Sequence, residues 1–519
     1  MNFKQILKPW PLLIILTVAF LIRLYALINY GAFSWDEMFS FTYSQKPWLE
    51  SLKFWTWETN PPLHMLILKL WWYIFPATEF WARLPSTIFG ILSIYLIYKL
   101  GKIIFDQKIA TYAALILSLF PLCIHFSATA RGYALLIFLV IASTIIYYRI
   151  FVHNITQRSI FYLIFWSLIN PLLIYVHLTS WIFIAAQFAG LFFVPNRNNN
   201  IKKFVLALIA PMALWLIWFV PSMINKISVT FFSESWFFNM PINYSQFIFF
   251  IQSPFVGYQF LPPLRNIFFH AVFIIGLLII IGFCIWSTVI LINKSKKENN
   301  KSAWPLIIMA YGPLIFAAAF KFWHIKFFAA SVPFIILLTA YFLNNFFKKS
   351  WLIIFLILVI LLPGNYLLLG NLGHNEWVAL AKYIKNSSIP TDKKIFAYNR
   401  YIDKMTIERY LKFDDGTSML GYRDPAYKNM NDDEIYVKQN YHFRKHSPEE
   451  LTTWYKQNNL EKYNKIFLYS VLDNGVQLYK TLEQNGWWLE KITTWGTEDP
   501  RVLFEYVKTT NSTSTTLKN

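Results

Sequence analysis

The chemistry available to this sequence sits in two acids and a scattered set of cations. Ser34-Trp35-Asp36-Glu37 follows the first apolar segment directly, and Thr56-Trp57-Glu58-Thr59-Asn60-Pro61-Pro62-Leu63 comes soon after. Ionisable groups at the bilayer edge are costly and point to function. A carboxylate there can take a proton from an acceptor hydroxyl during group transfer. A structural reading stands beside it: acids favour helix N-termini, so Asp36 and Glu37 would cap a juxtamembrane helix. Arg131 closes the turn His125-Phe-Ser-Ala-Thr-Ala-Arg131-Gly-Tyr133, His177 lies in Tyr175-Val-His177-Leu-Thr179, and His324 and Lys326 lie in Lys321-Phe-Trp-His324-Ile-Lys326. Cations beside a carboxylate at a lipid–water boundary suit a phosphate carried on a lipid. Singly, each has an ordinary explanation, since a lysine at a helix end snorkels and a lone histidine hydrogen-bonds within a fold.

The elements that must position these groups follow from composition. The chain has 519 residues, 56% hydrophobic and only 14% charged, against about a quarter charged in ordinary soluble domains. Residues 1–370 hold 26 of the 47 Lys and Arg but only 8 of the 27 Asp and Glu, whereas the remainder has an ordinary balance. The sequence therefore reads as a mostly α, polytopic membrane bundle over 1–370, a soluble α/β domain over 371–508 and a disordered Ser/Thr/Asn-rich tail over 509–519. The net charge of +20 first suggests nucleic acid. The basic residues, however, sit in short loops between apolar runs, where positive-inside sorting accounts for them. Cys123 and Cys284 both fall in apolar segments, which excludes a disulfide framework, and no phosphate-cradling glycine motif is present.

Spans of about 20 apolar residues are expected at 11–30, 82–104, 109–126, 132–151, 160–176, 178–195, 204–221, 266–292, 303–322, 327–345 and 351–370. The apolar stretch 61–76 opens with Pro61-Pro62 and carries His64 and Lys69, so it reads as an interfacial helix rather than a crossing. Loop charge agrees. With 61–76 kept out of the count, sixteen Lys and Arg fall on the N-terminal side, and Asp36, Glu37, Glu50, Glu58, Glu79 and Glu234 fall opposite. That places the N-terminus in the cytoplasm and the C-terminal domain outside it, in a multi-pass plasma (inner) membrane protein with an uncleaved first span. Arg131, His177, His324 and Lys326 then share the outer face with the acids, which strengthens the joint reading. In the C-terminal domain, helical periodicity marks 375–384 and 448–457, and β-rich runs mark 394–398, 465–471, 487–495 and 502–507. Asp414-Asp415 and Asp432-Asp433-Glu434 read as solvated loop charge.

The order of short motifs resembles a known family. A span ending Leu21-Ile-Arg23-Leu-Tyr25 precedes Asp36-Glu37 and Asn60-Pro-Pro-Leu63. Ala82-Arg83-Leu84-Pro85-Ser86 with Gly90, Lys99-Leu-Gly101-Lys102, Ala130-Arg131-Gly-Tyr133 and Tyr175-Val-His177-Leu-Thr179 follow. Over about residues 10–345 this resembles the GT-C fold glycosyltransferases of the protein-mannosyltransferase and lipid A aminoarabinose-transferase type. The resemblance implies an inverting transfer of a monosaccharide from a polyprenyl-phosphate donor to a glycan, lipid or protein acceptor on the extracytoplasmic face. It implies two juxtamembrane helices in the first loop and Asp36, of the Asp36-Glu37 pair, as the base. It also implies Glu58 and Asn60 lining the site, and Arg131 and Lys326 near the donor phosphate; the outer-face residues Tyr133, His177 and His324 complete the candidate substrate-binding set. The scheme requires no cofactor and is compatible with a divalent metal. Two positions depart from the family pattern: Thr129 where relatives often carry an acid, and Lys326-Phe327 where an Arg-Tyr is common. The alternative function is a transporter or flippase of lipid-linked sugars, which would use interrupted, repeated helices with midplane charge. The acids here gather at one face instead.

Overall fold

A computed structural model describes residues 10–57, 60–154, 159–227, 267–297, 303–319, 329–370, 372, 376–398, 404–411, 417–421, 448–471, 478–495 and 501–508. Its contacts divide into two compact units. Among described residues, one holds the chain up to Gly31 and from Phe39 to Leu372, and the other holds Ala32–Met38 and the chain after His374.

The first unit is helical throughout. In chain order it contains α1 (Trp10–Asn29), α2 (Trp35–Gln45, begun in the other unit), α3 (Trp48–Trp57), α4 (Leu63–Trp71), α5 (Glu79–Ile104), α6 (Gln107–Leu119), α7 (Pro121–Ser127) and α8 (Tyr133–Tyr147). These are followed by α9 (Ser159–Val176), α10 (Ser180–Gly190), α11 (Arg197–Ile227), α12 (Ile267–Lys297), α13 (Trp304–Ala319), α14 (Val332–Phe346) and α15 (Ser350–Gly370). Each of the eleven expected spans contains a helix, but they are not equal. Among the described residues six are long and apolar enough to cross a bilayer, the pair α6–α7 makes a seventh if counted as one bent span, and four are shorter apolar helices. Within the most apolar windows of α11 and α12, only 22% and 18% of residues are buried in the protein, so their outward apolar faces require lipid. The chain is an integral membrane protein.

Segment 61–76 does not supply a span. Its helix α4 has nine residues, about 13 Å of rise against a hydrocarbon core of about 30 Å. The first loop folds as three short helices, α2, α3 and α4, one more than the resemblance implied. Lys69 of α4, only 6% exposed, binds them together: its ammonium donates to the carbonyl of Lys46 and to Ser51 Oγ at 3.2 Å, and lies 4.8 Å from the Trp48 ring centroid.

The bend between α6 and α7 is 61° and has a covalent cause. Pro121 has no N–H, so the Leu117 carbonyl four residues back loses its helical partner. The buried Arg23 guanidinium substitutes, donating to the carbonyls of Leu117 at 3.4 Å and Ser118 at 2.9 Å, while Asn365 Nδ2 donates to the Leu119 carbonyl at 2.8 Å. Backbone groups left open in a membrane must be met from within the protein, and this break is closed that way.

The second unit holds a five-stranded mixed sheet in the order β2-β1-β3-β5-β4, built from β1 (Lys394–Tyr398), β2 (Ser418–Gly421), β3 (Lys465–Val471), β4 (Trp487–Trp495) and β5 (Arg501–Lys508). β1 pairs in parallel with β2 and β3, and β5 runs antiparallel to β3 and β4. Both faces are covered, as parallel strands demand. Ile395, Ala397, Ile466 and Leu468 pack under α18 (Pro448–Gln457) and α19 (Leu478–Gln484). Phe396, Tyr398, Phe467 and Tyr469 pack under α16 (Glu376–Lys385) and α17 (Lys404–Tyr410). The expected strands and helices are present, joined by β2, α17 and α19, which periodicity had not marked. The acidic pairs at 414–415 and 432–434 and the tail 509–519 lie outside the described residues.

Candidate active site

The turn that carries Arg131 is fixed from below by α5. Thr87 Oγ1 donates to the Ser127 carbonyl at 2.8 Å and Ser86 Oγ to the Arg131 carbonyl at 3.1 Å. A side chain at Gly90 would bring its Cβ within 2.0 Å of Ser127 Oγ, so the close approach of α5 to the turn requires glycine there. The motif residues Ser86 and Gly90 thus act by placing Arg131. The exit of α1 is fixed by the same helix. Gly31 adopts φ 78°, a left-handed helix stop that glycine takes without strain. Arg83 donates to the Gly31 carbonyl at 2.8 Å and stacks 4.7 Å from the centroid of Tyr30, whose hydroxyl pairs with His125 Nδ1 at 2.7 Å.

Arg131 itself is 8% exposed, and its Nη1 donates to Ser40 Oγ at 2.9 Å. Three polar rings adjoin this turn. Tyr133, which opens α8, lies 5.9 Å from His177 between ring centroids. His177 follows the end of α9, and its Nδ1 accepts from the Thr179 backbone N–H at 3.2 Å and pairs with Thr179 Oγ1 at 2.7 Å. Those bonds assign Nδ1 as the acceptor and leave the proton on Nε2, a tautomer inferred from its partners. The third ring is His64 of α4. Its Cβ would lie 3.5 Å from a Cβ built on Gly132, and it is 7% exposed. Its Nε2 is buried with no hydrogen-bond partner, as is the Tyr133 hydroxyl. Burial, and then the charge of Arg131, push the His64 pKa down to about 3, so the ring is neutral. In sequence, His64 is legible only as a polar residue that argues against a crossing. Its Pro61-Pro62 leader and its place just after Asn60 are the sequence signals for a side chain that packs inside the protein rather than against lipid.

The two acids differ in burial and bonding within their own helix. α2 starts with Ser34 as its N-cap, and Glu37 Oε2 accepts the Ser34 backbone N–H at 2.9 Å, the reciprocal arm of a capping box. Glu37 is fully buried. Asp36 is half-buried and stands four residues before Ser40, the spacing that puts two side chains on one helix face. The capping reading therefore holds for Glu37. Asn60 is half-buried at the entry to α4. Glu58, His324 and Lys326 lie outside the described residues. No group of three or more His, Cys, Asp or Glu among the described residues is placed to hold a metal ion.

A sequence model of the family described as dolichyl-phosphate-mannose-protein mannosyltransferase matches residues 59–225, the stretch that carries Asn60, His64, Arg83, Arg131, Tyr133 and His177. No curated protein matches the sequence. By fold, the chain is similar to ArnT from Cupriavidus metallidurans bound to undecaprenyl phosphate, with a TM-score of 0.58 and 12% identity over 96% of this chain and 98% of that one. It is similar also to the Archaeoglobus fulgidus oligosaccharyltransferase in complex with zinc and sulfate, with a TM-score of 0.53 and 14% identity over 95% and 73%. A third structure, AglB of the same archaeon with an inhibitory peptide and a dolichol-phosphate, gives 0.52 and 14% over 92% and 71%. The chain shares the GT-C fold of these structures.

Proposed function

We propose that this protein is an inverting glycosyltransferase that moves one monosaccharide from a polyprenyl-phosphate donor to an acceptor hydroxyl on the extracytoplasmic face. The observation that carries the reading is the bond from the buried Arg131 guanidinium to Ser40, one helical turn beyond Asp36. It ties a phosphate-binding cation to the helix that bears the candidate base. The ArnT neighbour holds undecaprenyl phosphate and the AglB neighbour a dolichol-phosphate, which supports a lipid phosphate as the leaving group here.

In this reaction Asp36 accepts the acceptor's hydroxyl proton as that oxygen bonds to the anomeric carbon. The bond from that carbon to the phosphate oxygen breaks, and its electron pair leaves with the phosphate. Arg131, Lys326 and the tautomer-fixed His177 stabilise the departing dianion, a contribution that grows in a poorly hydrated site. Glu58, Asn60, Tyr133 and His324 would bind the sugar and acceptor. The products are the glycosylated acceptor and a free polyprenyl phosphate, with the donor's own bond supplying the driving force.

The test is to incubate the purified chain with a polyprenyl-phosphate hexose and a membrane acceptor fraction and to quantify free polyprenyl phosphate. Release that depends on Asp36 is expected. Movement of intact donor between leaflets without release would replace the reading with the transporter one.

A further inference from the structure

The C-terminal domain contains a contact that reaches the segment just ahead of the candidate base. The Phe33 N–H precedes α2 and has no place in the ladder of that helix, so a partner must come from elsewhere. The hydroxyl of Tyr410, the last residue of α17, accepts it at 2.8 Å. The guanidinium of the adjacent Arg409 lies 5.4 Å from the centroid of the Phe33 ring, within cation–π range. Ala32 packs against the cluster formed by Leu380, Ile384, Ile407 and Leu411. These residues all belong to the second unit, together with Asp36. Phe33 and Met38, buried at 2% and 7% exposure, occupy the positions flanking an N-cap whose packing sets the angle at which a chain enters its helix.

We propose that Tyr410 and Arg409 are positioning residues for Asp36, holding the main chain at Phe33 so that the C-terminal domain sets where the base stands. The proposal rests on the role given to Asp36 above. Two residues, Ser34 and Trp35, separate the anchored amide of Phe33 from Asp36, and Ser34 is tied to Glu37. Releasing Phe33 therefore frees the entry to α2 without touching the substrate-binding cations. Misplacement of a reacting group by about 1 Å costs up to about 100-fold in rate. The domain contributes to turnover through this contact even if it never meets the sugar.

The experiment uses the full chain in lipid nanodiscs and compares Tyr410→Phe with Tyr455→Phe. The second variant removes a comparable bond, from Trp487 Nε1 at 2.9 Å, on the opposite face of the same sheet. Tyr410→Phe is expected to speed amide hydrogen exchange over residues 33–38 by about tenfold, the scale of one lost hydrogen bond. It should lower kcat by a similar factor with a polyprenyl-phosphate hexose, leaving KM for that donor within about twofold. Tyr455→Phe should do neither. Unchanged exchange in Tyr410→Phe, or an equal loss of kcat in Tyr455→Phe, overturns the positioning role. If the wild-type chain releases no polyprenyl phosphate, the transferase reading falls instead, and exchange alone still decides whether α17 holds the segment before α2.

Discussion

Arg131 and Ser40 lie 91 residues apart in sequence and 2.9 Å apart in space. One belongs to a turn that α5 braces from below, the other to the helix whose first turn carries Asp36 and Glu37. The serine hydroxyl accepts from one arm of the guanidinium fork and so helps to orient it, a geometry that matters wherever a fork must meet an anion. Ser40→Ala is accordingly expected to keep the fold but to raise the donor KM by about tenfold, the scale of a bond to a charged group. Arg131→Lys should be worse, since a point charge cannot reproduce the planar fork. Donor titrations of both variants check the order, and a Ser40→Ala enzyme with wild-type KM would show that the hydroxyl does not orient the guanidinium.

Asp36 and Glu37 are neighbours with opposite expectations. Asp36→Asn keeps the shape and a helix-start residue but removes the proton acceptor, so transfer should fall by about 10²-fold or more while thermal unfolding stays unchanged. Glu37→Gln keeps an oxygen able to accept the Ser34 N–H and should retain most activity. Glu37→Ala removes the cap and should cost about 0.5–2 kcal/mol of local stability. Release of polyprenyl phosphate and a melting curve on the same preparations separate the two. An active Asp36→Asn would move the base elsewhere.

Much of this architecture is legible without coordinates, and the boundary of legibility is physical. Long apolar segments and alternating strands announce themselves by period, and Lys394–Tyr398, Lys465–Val471 and Trp487–Trp495 were bounded correctly. Pro61-Pro62 with His64 and Lys69 was enough to keep 61–76 out of the bilayer. What those two side chains do was not legible, because Lys69 answers to Lys46 and Ser51, and His64 lies against Gly132, contacts that have no period. The helix Lys404–Tyr410 has seven residues, too few for a 3.6-residue repeat to register, yet it is the element that meets Phe33. The cap formed by Ser34 and Glu37 is readable as a Ser-x-x-Glu box, whereas residue type alone leaves Asp36 and Glu37 equally open to capping and catalysis; the bond from the Ser34 N–H to Glu37 distinguishes them.

The bend at Pro121 gives a prediction that couples two distant residues. Arg23→Leu leaves the carbonyls of Leu117 and Ser118 without these donors in an apolar interior, and melting in detergent should drop by several degrees. In a Pro121→Ala background residue 121 regains an N–H that can serve the Leu117 carbonyl. The same Arg23→Leu change should then cost less, a coupling of about 1 kcal/mol in a double-mutant cycle. Pro121→Ala should itself lower activity, because a straighter span redirects the turn that bears Arg131. Strict additivity of the two changes would show that Arg23 does not replace the missing amide.

His64 makes stability depend on pH in a direction that its burial dictates. Its folded pKa, held down to about 3 by desolvation and then by Arg131, lies below the ordinary value near 6.5 of an unfolded chain. Above pH 6.5 both states carry the neutral ring and no difference arises. Below it the unfolded chain takes up a proton that the folded chain refuses, so stability falls as pH drops from about 6.5 toward 3, by up to about 1.4 kcal/mol per pH unit. Carboxylates contribute to acid unfolding as well, so the informative quantity is the difference between two curves. His64→Gln keeps a polar side chain but cannot titrate, and its melting temperature should decline less than that of the wild type between pH 7.5 and pH 5. Parallel curves would mean that the imidazole is reached by protons in the folded state, which a ring enclosed beside Arg131 does not allow.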